Sequence, residues 1–144
     1  MKKLKVLYLC TGNSCRSQMA EGWTNHLKGD EVEAWSAGIK TKEVNSWAIR
    51  VMAEAGVDLS SHTSKLVSDV MDQDFDYVVS LCDHARETCP IFPGKAKHVH
   101  TSFPDPPEMT KDMTDEEEIL AVYRYVRDKV RKYVEDVPGV FGSE

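Results

Sequence analysis

Residues 4–9, LKVLYL, form a nearly unbroken apolar run with no polar alternation, the pattern of a strand buried on both faces of a parallel sheet. Met19, Trp23 and Leu27 then recur every fourth residue beside Ala20, and Gly29 closes the segment, which predicts a helix. A second strand is read at 32–37 (VEAWSA), a second helix over 45–56 with Asn45 as N-cap and Gly56 just past its end, and a third strand at 76–81 (DYVVSL). The run 95–100 (KAKHVH) gives a weaker fourth strand. A last helix is expected to start at Thr114, capped by its hydroxyl with Glu117 reaching back, and to bury Ile119, Tyr123, Val126, Val130, Tyr133 and Val137.

Strands that alternate with helices imply an α/β fold: a three-layer, four-stranded parallel sheet with helices on both faces, in an order such as 2-1-3-4. In such a sheet ligands bind beyond the C-terminal strand ends, where the winding reverses between strands 1 and 3. Cys10 ends strand 1 and Cys82 ends strand 3, so if those strands are neighbours the two thiols share that crevice.

Composition narrows the picture. A chain of 144 residues that is 41% hydrophobic suits one domain, 1–144, with an ordinary core. A net charge of -6 with dispersed lysines and arginines argues against a nucleic-acid surface. No apolar run approaches the ~18 residues of a membrane span, and the first ten residues lack the length and cleavage site of a signal peptide, so a cytoplasmic monomer is expected. In a reducing cytosol, Cys10, Cys15, Cys82 and Cys89 fit catalytic, metal-binding or inert core roles better than a fixed disulfide framework. Cys82 and Cys89 stand further apart than the usual two to four intervening residues of a zinc pair, and neither a metal nor a cofactor is expected.

The chemistry concentrates in residues 10–16, CTGNSCR. A loop of this length between a strand and a helix can wrap the backbone N–H groups of Thr11, Gly12, Asn13, Ser14, Cys15 and Arg16 around a tetrahedral oxyanion, aided by the helix N-terminus. Gly12 and Asn13 tolerate the positive φ angles that wrapping requires. Arg16 offers a planar fork for two oxygens, and Cys10 at the base faces the central atom. The field that holds the anion also favours a thiolate, to which the Ser17 hydroxyl could add a hydrogen bond. Cys15 is expected chiefly to pack. The bland alternative is a glycine turn beside a buried cysteine.

The segment LCTGNSCRSQMAEGW resembles the signature of the low-molecular-weight protein tyrosine phosphatase superfamily, specifically its arsenate reductase branch. The similarity continues through SAGI (36–39), GVDLSSHTS (56–64), VVSLCDHARETCP (78–90) and FPDPPE (103–108). It implies Cys10 as nucleophile, Arg16 and the loop amides as anion clamp, and Asp105, stiffened by Pro104 and Pro106, as general acid; an ordinary turn aspartate is the alternative. It further implies that Cys10 attacks arsenate, that Cys82 attacks the Cys10 sulfur to release arsenite, and that Cys89 then takes over Cys82. Thioredoxin would reduce the final disulfide, with glutaredoxin and glutathione as the alternative donor. If residues 82–89 were helical, the two Cα atoms would lie roughly 10.5 Å apart, too far for a disulfide, so that segment is expected to rearrange with redox state.

A phosphatase acting on phosphotyrosine or small phosphate esters is the competing implication, although Pro107 and Glu108 stand where such enzymes present aromatic residues. An oxyanion or redox sensor without turnover is a third. Some arsenate reductases of this branch bind K+ at positions matching Asn13, Glu21 and Ser36 with an aspartate. This chain has Lys65 there, whose ammonium could pair with Glu21 and stand in for the ion, an ordinary surface lysine being the alternative.

Overall fold

The computed structural model describes residues 3–82 and 94–141. Its elements run β1 (Leu4–Leu9), α1 (Arg16–Lys28), β2 (Val32–Ala37), α2 (Ser46–Glu54), a 3-10 turn (Val67–Asp69), β3 (Tyr77–Ser80), β4 (Lys97–His100), α3 (Pro106–Met109), α4 (Glu116–Glu135) and a last 3-10 turn (Gly139–Phe141). The four strands form one parallel sheet in the expected order β2-β1-β3-β4. β1 is central: Val6 pairs with Ala34 on one side and Tyr77 on the other.

Alternation along β1 splits the core in two. Val6 and Tyr8 face a large cluster with Met19 and Trp23 of α1, Val51 and Met52 of α2, and the α4 stripe. Leu7 and Leu9 face a smaller cluster with Val78, Val70 and Phe75, capped by the 3-10 turn at Val67–Asp69. The buried Tyr8 hydroxyl meets Thr24 Oγ1 at 2.8 Å, so the ring is buried without an orphaned polar tip. Trp23 is 1% exposed and its indole N–H donates to the Arg127 carbonyl at 3.2 Å, fastening α1 to α4.

Asn45 caps α2 as expected, its Oδ1 accepting from the Ala48 N–H at 3.0 Å. The cap of α4 falls one residue later than Thr114: Asp115 accepts from the Glu118 N–H at 3.0 Å. A carboxylate at this end also answers the helix dipole, which a hydroxyl does not. The buried stripe is Ile119, Leu120, Tyr123, Val126, Val130 and Val134. Tyr133 sits at its half-buried edge, and Val137 is buried beyond the helix end, because the i, i+4 step from Val130 leads to Val134. β3 and β4 are shorter than the runs 76–81 and 95–100, their ends passing into connecting loops. The expected rearrangement of 82–89 lies outside the described residues apart from Cys82. No helix among the described residues is long and apolar enough to cross a membrane.

Candidate active site

The chain leaves β1 at Cys10 and enters α1 at Arg16, so the connecting loop lies at the C-terminal edge of the sheet against the start of a 13-residue helix. Asn13 takes the left-handed conformation (φ 49°) and is the one non-glycine among the described residues that does so. Gly12, expected to share that role, has an ordinary φ. What distinguishes it is contact, since a Cβ there would lie 3.4 Å from the Lys42 side chain.

Asn13 holds its conformation through its own amide. Its Oδ1 accepts from the Lys65 backbone N–H at 2.7 Å and from Gln18 Nε2 at 3.2 Å. A backbone N–H can only donate, so the oxygen must face Lys65 and the Nδ2 must face Ser17, to whose Oγ it donates at 2.8 Å. Ser17 Oγ in turn lies 2.9 Å from Cys10 Sγ. With Cys10 as thiolate only the serine can donate, so the chain Asn13 to Ser17 to Cys10 delivers a hydrogen bond to the sulfur. Ser17 is wholly buried and Cys10 is 2% exposed, which strengthens that bond.

A second layer supports the first. Gln18 Nε2 also donates to the carbonyls of Asn13 and Thr63, both at 3.1 Å, while its Oε1 lies 2.9 Å from His62 Nδ1. An acceptor at that distance places the imidazole proton on Nδ1, which is also 3.7 Å from a Glu21 oxygen. The Ser36 hydroxyl donates to Glu21 Oε1, and Lys65 Nζ stands 3.9 Å from the same atom. Lys65, Glu21, Ser36 and Asn13 therefore meet beneath the loop, as the sequence comparison of those positions anticipates.

The loop is pinned from outside by backbone contacts. The Ile39 and Lys40 N–H groups donate to the Thr11 carbonyl at 3.0 and 3.3 Å, Ser64 Oγ donates to the Gly12 carbonyl at 3.1 Å, and the Asn45 N–H donates to the Ser14 carbonyl at 2.8 Å. Gly38 packs directly under the loop. A Cβ there would come within 2.7 Å of the Thr11 oxygen, 2.8 Å of the Cys10 oxygen and 2.9 Å of the Asn13 nitrogen.

Arg16 is buried, and its Nη1 donates to the carbonyls of Leu81 and Phe103 at 3.4 and 3.3 Å, tying the loop to the segments after β3 and β4. Its Nε lies 3.6 Å from Asp105 Oδ1. Asp105 is the N-cap of α3 but its side chain makes no capping bond, and Pro106 follows at the first helical position. Cys10, Thr11, Gly12, Ser14, Cys15 and Arg16 line a cavity of about 190 Å³ together with Asp105, Pro107 and, at its solvent side, the exposed Lys40 and Lys42. A polar, roughly anion-sized pocket above a thiol is what an attack on an oxyanion requires.

Cys15 lines this cavity yet belongs to the main hydrophobic cluster, and burial, foremost, pushes its thiol well above the ordinary range. Cys82 is fully buried at the end of β3, beside β1 in the sheet, but is not among the residues lining the cavity. It is disulfide-bonded, whereas Cys10 and Cys15 are free thiols. Cys89 lies outside the described residues. Among the described residues no cluster of three or more His, Cys, Asp or Glu side chains is arranged to hold a metal. Gly38, Gln18, Lys40 and Lys42 escaped the reading of the sequence. Only the small residue in SAGI hinted at the first.

A buried thiol at the end of β1, a strand–helix loop that lines a cavity with it, and an arginine beside an aspartate stand at the C-terminal edge of a doubly wound sheet, the plan of a cysteine-dependent phosphatase-type fold. The chain belongs to the low molecular weight phosphotyrosine protein phosphatase family, which it matches over residues 5–138. Within it, the arsenate reductase of Halalkalibacterium halodurans is 45% identical over 134 residues, covering 93% of this chain and 94% of that protein. A solved arsenate reductase in the phosphate binding state superposes with a TM-score of 0.77 at 32% identity, covering 93% of this chain and 95% of that one. The low molecular weight protein tyrosine phosphatase from T. tengcongensis gives 0.68 at 26% identity, covering 94% and 97%.

Proposed function

We propose that this chain, acting as one domain over residues 1–144, is an arsenate reductase that works by a three-thiol relay. The Cys10 thiolate attacks arsenate held by the loop amides and Arg16, and Asp105 protonates the departing oxygen, which leaves as water. The Cys82 thiolate then attacks the Cys10 sulfur. A disulfide forms, the sulfur–arsenic bond breaks with its electron pair moving to arsenic, and arsenite departs, reduced by two electrons. Cys89 attacks Cys82 next, forming the Cys82–Cys89 disulfide and returning the Cys10 thiolate. Thioredoxin supplies two electrons to restore both thiols, glutaredoxin with glutathione being the other donor of suitable chemistry.

One observation carries this reading: a second cysteine, Cys82, buried just past the end of β3, the strand that pairs with β1, whose own end carries Cys10. Hydrolysis of a phosphoester needs only water for its second step and gives no use for it. The 45% identity to a named arsenate reductase supports the same substrate. The likeness to the T. tengcongensis phosphatase favours residual phosphatase activity through the same loop.

The test is arsenate-dependent NADPH oxidation with thioredoxin and thioredoxin reductase, in wild type, Cys82→Ser and Cys89→Ser. Multiple turnovers in the wild type, lost in both variants, support the relay. Absent turnover, with p-nitrophenyl phosphate hydrolysis surviving in both variants, makes the protein a phosphatase.

A further inference from the structure

Two exposed lysines outside the loop motif, Lys40 and Lys42, line the solvent side of the cavity, to whose lining Asp105 and Pro107 also belong. Their backbone is strapped to the loop. The Lys40 N–H donates to the Thr11 carbonyl, and the Lys42 N–H donates at 3.3 Å to Ser64 Oγ, which donates onward to the Gly12 carbonyl. The Lys42 stem crosses Gly12, with Cδ 3.4 Å from where a Cβ on that glycine would stand. The strap therefore sets where both side chains leave the backbone. Lys65 and Lys111 spend their charge on Glu21 and Glu108, whereas among the described residues Lys40 and Lys42 form no ion pair.

We propose that Lys40 and Lys42 are specificity-determining residues that recognise the outer oxygen of a small inorganic oxyanion. The inference rests on the reading above, in which the loop holds the anion over Cys10. In an in-line attack the leaving oxygen points away from the nucleophile, toward the mouth. In arsenate or phosphate that oxygen carries charge or a hydroxyl; in an ester it carries the organic group. Two ammonium groups and one proline at the mouth favour the former, since they offer charge and hydrogen-bond donors but little apolar surface for a ring.

The experiment is calorimetric titration of the reduced full chain with inorganic phosphate at low ionic strength, in wild type, Lys40→Gln, Lys42→Gln, the double variant and Lys42→Arg, with KM for p-nitrophenyl phosphate measured in parallel. An exposed ion pair is worth up to about fivefold, so each glutamine variant should weaken phosphate binding about threefold to fivefold and the double variant about tenfold to twentyfold. Lys42→Arg should stay within about twofold of wild type, and the differences should shrink in about 0.5 M salt. KM for the ester should rise by less than about threefold in the double variant, because its outer position carries no charge for the lysines to meet. Phosphate affinity within about twofold of wild type in the double variant would overturn the assignment, as would an equal loss for phosphate and ester. Lysine-dependent phosphate binding without arsenate turnover would leave the assignment standing and sink the reductase reading. Arsenate turnover with an unchanged KM for arsenate in the double variant would do the reverse.

Discussion

Gly38 is the position where one methyl group should do most harm to the site without touching a reacting atom. Its Cβ would stand 2.7 to 2.9 Å from three backbone atoms of Cys10, Thr11 and Asn13, against an ordinary contact of about 3.4 Å, so a displacement of about 0.7 Å is required. None of the three can swing away as a flexible side chain could. Nor can residue 38 retreat, because its N–H donates to the Lys65 carbonyl and its carbonyl accepts from the Val67 N–H, both at 2.9 Å. Overpacking of this kind costs about 1–3 kcal/mol. With an unfolding entropy of about 2.1 cal/mol/K per residue, or about 0.3 kcal/mol/K for 144 residues, Gly38→Ala should lower Tm by about 3–10 °C. Activity should fall further than stability, since a misplacement approaching 1 Å in a catalytic frame can reduce turnover about a hundredfold. The measurements are a thermal melt, phosphate titration and arsenate turnover, with Gly139→Ala as control because nothing lies within 4 Å of a Cβ there. If Gly38→Ala melts within about 1 °C of wild type and keeps turnover within about twofold, the close packing of β2's end under the loop is not what shapes the site.

Asp105→Asn should lower turnover of arsenate about a hundredfold or more while leaving phosphate affinity nearly unchanged, the signature of a lost general acid; turnover within a few-fold of wild type would remove it from that role. With the Lys65 ammonium 3.9 Å from Glu21, the melting midpoint should agree within about 1 °C in KCl and NaCl of equal ionic strength, and a distinctly higher midpoint in KCl would contradict the substitution of lysine for a bound cation. Glu54 is held down to about 2 by the hydrogen bond from Arg124, with the Arg124, Arg127 and Arg50 charges adding to it. Its folded value lies below its unfolded one, so the stability it supplies is complete above the ordinary carboxylate range and is lost as pH falls from about 4.5 toward 2. Acid unfolding of Glu54→Gln should therefore be less steep through that window, and identical acid profiles would show that the tie between α2 and α4 contributes nothing.

Much of this protein is written in short-range pattern. The apolar run 4–9, the fourfold spacing of Met19, Trp23 and Leu27, and the Asn45 cap each depend on neighbours within a few residues, and a parallel sheet follows from the alternation of strands and helices. The loop from Cys10 to Arg16 is equally legible, because amides, a thiol and a guanidinium at one strand–helix junction have few other uses. The cap of α4 shows the limit even there, since Thr114 and Asp115 both satisfy the local rule and the helix takes the charged one. What tertiary structure alone decided is how the loop is held. Lys65 reaches Asn13 across 52 residues, Gly38 slides beneath Thr11, Arg16 meets the carbonyls of Leu81 and Phe103, and Lys42 is strapped over Gly12 through Ser64. These contacts leave no periodic trace, because a single hydrogen bond or a missing Cβ is specified by where two distant backbones cross, and that crossing exists only once the sheet and helices have packed.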